Sequence, residues 1–176
     1  MNLNLVPLGW IHSLACLLAL ALGAFLLATR KGTQRHRRLG QAYLISQGVL
    51  NLTALGIYQL HVFFFPHWLA MITLGLIAVG WLAARFHQPP VVWKHVHLSC
   101  MILSYYMLIG GGVNEVYLRI DALRALVNHD GLRIISQTHS VVMLIFLILL
   151  VGWNLSEIIR AIVRRTRRRP TTPAAA

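Results

Sequence analysis

Charge is scarce in this chain. Only 11% of its 176 residues are Asp, Glu, Lys or Arg, and just four are acidic. With 57% of residues hydrophobic, a soluble domain of this length has no way to hide its apolar surface, which excludes an ordinary water-soluble fold. Cysteine is nearly absent too. Cys16 and Cys100 both fall inside apolar segments, so no disulfide framework is indicated. The opening Met-Asn-Leu-Asn-Leu-Val-Pro lacks a basic residue, and no clear small-residue cleavage site follows. A cleaved signal peptide is therefore not indicated, and the first apolar segment reads as permanent.

What is present is length of hydrophobic run. A helix needs about 20 mostly apolar residues to cross the hydrocarbon of a bilayer. Five segments qualify: residues 8–28, 39–58, 66–84, 95–113 and roughly 137–159. They leave no room for a soluble catalytic domain. The expected fold is an all-α integral membrane protein, a bundle of five transmembrane helices. Residues 1–163 form its single domain, and residues 164–176 form a basic, disordered tail ending in Pro-Thr-Thr-Pro-Ala-Ala-Ala.

The net charge of +12 raises the question of nucleic acid, but its placement argues for a membrane. Arg30, Lys31, Arg35, Arg37 and Arg38 lie between the first two spans, Arg85 and Lys94 between the third and fourth. Six arginines from Arg160 to Arg169 follow the fifth. Arg119, Arg124 and Arg133 alone lie on the other side. The positive-inside rule then predicts an outside N-terminus and a cytoplasmic C-terminus in a bacterial inner membrane, with the arginine-rich tail resting on anionic lipid. Trp10 and Trp68 at the outer interface and Trp93 at the inner one fit an aromatic belt.

Three spans open on one phrase. His12, His67 and His139 are each followed four residues later by sulfur, at Cys16, Met71 and Met143. Positions i and i+4 share a helix face. An internal repeat is also visible: His12 leads through a basic loop to His36, and His67 leads through a basic loop to His95 and His97. The expected topology sorts the histidines by depth. His12, His67 and His139 lie near the outer surface with Glu115, and His36, His95 and His97 near the inner one. His61, His87 and His129 fall in loops. The second span carries a polar stripe of His36, Gly40, Tyr43, Gln47 and Asn51, continued by Ala54 and Tyr58, which must look into the bundle because polar groups facing lipid are costly. The fourth span has a matching face of His97, Met101, Ser104, Gly111 and Glu115, with His95 off it. Residues 113–137 read either as an interfacial helix or as an extension of the fourth span, with a turn at Asn-His-Asp-Gly.

Imidazole at a fixed depth suits haem iron, copper or zinc. Gly23 and Gly40 would let a flat macrocycle approach the backbone, and Cys or Met beneath His are soft donors that suit copper. Each histidine also has a plain reading as an interfacial polar residue, and the stripe as interhelical hydrogen bonding.

His36-Arg-Arg-Leu-Gly40-Gln-Ala-Tyr43 resembles the His-Arg-x-x-Gly-x-x-Tyr phrase of a bacterial membrane-protein family, DUF2306. His97-x-x-x-Met101-Ile-x-Ser104-Tyr105 resembles that family's second phrase, with Cys100 where tryptophan is usual. The resemblance covers roughly the first four spans. A weaker one is to the four-helix core of cytochrome b561, whose helices one and three hold one haem b and helices two and four the other. That resemblance implies the pairs His12 with His67 and His36 with His97. It is departed from by the short first hairpin, by the basic residues beside His36, and by a fifth helix.

Three functions compete. One is a haem b protein passing electrons between a quinol and an acceptor, with quinone and a redox partner protein as its partners. A second is an outer-face zinc or copper site of His12, His67, His139 and Glu115, serving metal handling or hydrolysis. A third is an accessory membrane subunit without a cofactor. The topology is open to direct measurement. Reporter fusions after Arg169 should read out as cytoplasmic, and an external signal would reverse the orientation.

Overall fold

The computed structural model describes residues 6–57, 65–89, 92–121, 123 and 133–167. The described residues form α1 (Val6–Ala28), α2 (Gln34–Gly56), α3 (Phe65–Phe86), α4 (Trp93–Arg119) and α5 (Arg133–Arg167), with no strand among them. Each matches one expected span. Four are long and apolar enough to cross a bilayer: Pro7–Ala28, Pro66–Phe86, Trp93–Tyr117 and Arg133–Val163. The exception is α2, whose Gln, Arg, His and Asn residues dilute its apolar content. Past residue 113, α4 continues to Arg119 as an extension of the span, and Asn128 to Gly131 lie outside the described residues. Similarly, α5 runs helically to Arg167, beyond the boundary expected at 163.

The short turn between α1 and α2 satisfies both helix ends from within. The last carbonyls of any helix lack intrahelical partners. Here Lys31 Nζ donates to the carbonyls of Leu26 and Leu27 at 2.8 and 2.7 Å, closing α1. Gly32 then takes φ +81°, a left-handed conformation that costs glycine little. Thr33 caps α2, its Oγ1 accepting from the His36 amide at 3.1 Å. The Lys31 ammonium also lies 4.5 Å from the centre of the Trp153 ring on α5, tying this turn to the last helix.

Consecutive helices run antiparallel. The bundle has one basic end, with the α1–α2 and α3–α4 turns and the C-terminus of α5, and an opposite end. Around a ring, α1 packs on α2, α2 on α3, α3 on α4, and α4 more lightly on α1. No backbone contact joins α1 to α3 or α2 to α4, so these are the two diagonals. Outside the ring, α5 packs on α4 alone among the helices.

Small residues set the closest approaches. Ala15 and Ala19 of α1 are buried against Tyr43 and Leu50 of α2 and Tyr105 and Leu108 of α4. One turn further, Gly23 admits the Tyr105 ring, and a Cβ there would overlap that ring. Tyr105 thereby reaches across to donate its hydroxyl to the Leu20 carbonyl at 2.9 Å, while its ring meets Tyr43 edge-on and leans on Phe146 of α5. The expectation that Gly23 makes room for a macrocycle is corrected: the space belongs to a tyrosine. Gly80 of α3 plays the same part against Cys100 and Met101 of α4. In detergent, Gly23→Ala should lower stability by roughly 1–3 kcal/mol through overpacking. The loss should shrink when Tyr105 is also replaced by leucine. An equal loss in both backgrounds, read by thermal unfolding, would show that the ring is not what the methyl meets.

Candidate functional site

At the basic end, two diagonal helices each present a histidine. His36 stands in the first turn of α2, held there by the Thr33 cap on its own amide. It is half-buried, and its buried Nδ1 has no hydrogen-bond partner. His97 of α4 lies within electrostatic reach of it. His97 Nδ1 donates to the carbonyl of Gly80 at 2.9 Å, which assigns the proton to Nδ1 and leaves the lone pair on Nε2. A second bond on the far ring nitrogen is how ligand histidines are commonly oriented. Gly40, one turn beyond His36, has nothing within 4 Å of where a Cβ would stand, so no helix packing requires its small size. Burial pushes the His36 pKa down, and the Lys31 cation and His97 push it the same way. The imidazole is neutral at pH 7, the form with a lone pair to give.

At the opposite end the other diagonal carries His12 and His67. His12 Nδ1 is 3.1 Å from Thr53 Oγ1 of α2. That hydroxyl also lies within donating distance of the carbonyls of Val49 and Leu50. His67 is 1% exposed, turned inward and not toward lipid. His36 and His97 thus stand on one diagonal toward the basic end, and His12 and His67 on the other toward the opposite end.

Between the two ends lies a chain of donors. Asn51 Nδ2 donates to Gln47 Oε1 at 3.0 Å, Gln47 Nε2 to the Tyr43 hydroxyl at 2.9 Å, and Tyr43 pairs with Ser104 Oγ at 3.0 Å. Ser104 donates to the Met101 carbonyl, so the Tyr43 proton points at Ser104 and the chain runs one way. Gln47 and Ser104 are 0% exposed. The stripe expected to face inward on α2 does so at Tyr43, Gln47 and Asn51, with Ser46 and Leu50 joining it. Tyr58 lies outside the described residues.

The remaining histidines of these helices have a different use. His95 Nδ1 lies 2.7 Å from Asn154 Oδ1, and Asn154 Nδ2 donates to Ser99 and to the Leu150 carbonyl. His139 Nε2 lies 2.9 Å from Asn114 Oδ1. Both pairs fasten α5 to α4, one near each end of the contact. The residues named for an outer-face metal site, His12, His67 and His139 with Glu115, fall as follows. Because α5 docks on the outer flank of α4, His139 is spent on Asn114, Glu115 is exposed, and no group of three or more His, Cys, Asp or Glu able to hold a metal exists among the described residues. The sulfurs four residues after His67 and His139 do not share the inward face either: Met71 and Met143 are exposed, and only Cys16 packs on the core.

Sequence reasoning misses the partners. Thr53, Gly80, Asn114 and Asn154 each fix a histidine, and none stands at the i+4 spacing of a histidine motif. Asn154, a carboxamide inside a hydrophobic run, is the one with a visible signal.

The lowered pKa of His36 has a stability consequence. The unfolded chain binds a proton near the ordinary value of about 6.5, the folded chain only at lower pH, so between those values the unfolded state holds more protons. Stability of the detergent-solubilised protein should rise with pH across that window and level off above it. His36→Asn should flatten the rise. An unchanged slope in the variant would remove His36 as its source.

A family model described as "Predicted membrane protein (DUF2306)" matches residues 9–152. No curated protein and no solved structure matches the chain. The match takes in nearly all of the four-helix ring and just over half of α5, and the chain belongs to this family of predicted membrane proteins.

Proposed function

We propose that this protein is a five-span bacterial inner-membrane protein that binds b-type haem between diagonal helices and passes electrons between a quinol and an acceptor. The basic end faces the cytoplasm in this reading, since 13 of 16 cationic residues lie there. The observation that carries it is the contrast among histidines. His95 and His139 are each matched to an asparagine on the neighbouring helix, as structural histidines should be. His36 buries a ring nitrogen with no partner, opposite a His97 whose far nitrogen is anchored to Gly80. An unsatisfied buried polar atom costs about 1–3 kcal/mol, and a ligand that accepts its lone pair offsets that cost.

The donor set fits haem. His36 and His97 would hold one group at the basic end, and His12 and His67 the other. The haem, when bound, supplies reversible one-electron exchange at its iron. The chain's own residues do the rest. Gly80 and Thr53 fix ring orientation at His97 and His12. Burial and Lys31 keep His36 unprotonated. The layer of Tyr43, Gln47, Ser104 and Tyr105 fills the space between the two sites and excludes water.

The full-length protein purified from cells supplied with haem should show b-type bands in a reduced-minus-oxidised spectrum, developed by a short-chain quinol. His36→Ala or His97→Ala should remove the basic-end component, and His12→Ala or His67→Ala the other. His95→Ala and His139→Ala should keep both. A colourless, folded protein would leave the accessory-subunit reading in place of this one.

A further inference from the structure

A second feature of the basic end is independent of the histidines. A groove of about 400 Å³ lies on the α3–α4 hairpin, lined by Val79, Leu82, Ala83 and Phe86 of α3, Val96 of α4, and Gln88 and Pro89 of the turn. From Val79 to Phe86 it follows α3 for about 10 Å. One leaflet's hydrocarbon is about 15 Å deep, so the groove matches the headgroup-proximal part of an acyl chain. Two cations stand beside it along the chain: Arg85 adjoins the lining Phe86, and Lys94 lies two residues before the lining Val96. The Arg85 guanidinium lies 5.9 Å from the centre of the Phe86 ring, which lines the groove. The Lys94 ammonium lies 5.6 Å from that of Trp93, which in turn meets His87 edge-on.

Among the described residues these two cations have no carboxylate to answer them. The first acidic residue of the chain is Glu115, toward the opposite end, and Asp121 follows it there. Glu157, on the basic-end half of α5, is held by Arg160 at 2.8 Å. Neither Arg85 nor Lys94 makes an ion pair among the described residues. An apolar slot of acyl dimensions, opening beside two unanswered cations at the interface, calls for one molecule with a tail and a negative head.

We propose that the α3–α4 groove seats one acyl chain of an anionic glycerophospholipid from the adjoining leaflet, its phosphate held between Arg85 and Lys94. The selectivity comes from charge, since each cation near the surface favours an anionic over a zwitterionic headgroup by about fivefold. The affinity comes from the groove, which replaces loose lipid contact by a shaped apolar wall.

The test uses the full chain in vesicles of equal parts phosphatidylglycerol and phosphatidylcholine, extracted in mild detergent and weighed intact by native mass spectrometry. One retained phosphatidylglycerol is expected, well in excess of phosphatidylcholine. Arg85→Gln with Lys94→Gln should bring the two lipids to about parity, since the charge preference is then gone. Leu82→Trp, which fills the groove from an exposed position, should lose retention of both. Helicity by circular dichroism confirms that each variant is folded, and the exposed charge pair serves if Leu82→Trp is not. Retention in proportion to the vesicle composition would overturn the proposal. So would wild-type retention in Leu82→Trp, or displacement of the lipid by added inorganic phosphate, which would place recognition in the phosphate alone.

Discussion

A helix that carries glutamine and asparagine at its middle cannot lie against hydrocarbon, and the arrangement of this protein follows from enclosing α2. Hydrocarbon offers no hydrogen bonds, so each polar group on that helix needs a partner inside the bundle. Gln47 and Asn51 find theirs along α2 itself and, through Tyr43, on Ser104 of α4. Reaching the diagonal helix requires α1 and α3 to stand on either side and close the ring. The small residues of α1 and the glycine of α3 are what let those walls come near enough.

The same constraint sorts the histidines. A buried imidazole nitrogen costs stability unless protein or something bound answers it. Asn154 and Asn114 answer His95 and His139, and in doing so attach α5. Gly80 and Thr53 answer one side of His97 and His12. At His36 a buried ring nitrogen lacks a hydrogen-bond partner. Position in the bundle separates the histidines that fasten α5 to α4 from those on the two diagonals.

Much of this was legible in the sequence, and for a physical reason. The length of apolar run is dictated by bilayer thickness, so the five helices could be counted, and the inward face of α2 follows from the position of Gln47 and Asn51. What lay beyond reading was the choice of neighbour. The repeated histidine–sulfur spacing suggests three equivalent helices, yet Met71 and Met143 look outward and α5 stands outside the ring. Gly23 reads equally well as room for a cofactor or for a ring from another helix, and only packing shows that Tyr105 takes it. Spacing along one helix tells which residues share a face. It is silent on which helix that face meets.

The position of α5 has a consequence for how the protein is made. Every contact that closes the ring lies between helices that emerge from the ribosome before α5 does. The last helix thus arrives at a finished wall and docks by two imidazole–carboxamide bonds and the tilted contacts of the Tyr105 and Tyr106 rings with Phe146. Biogenesis divides into two steps, assembly of a four-helix body and attachment of a fifth, and a fault in the second leaves both diagonal histidine pairs already in place.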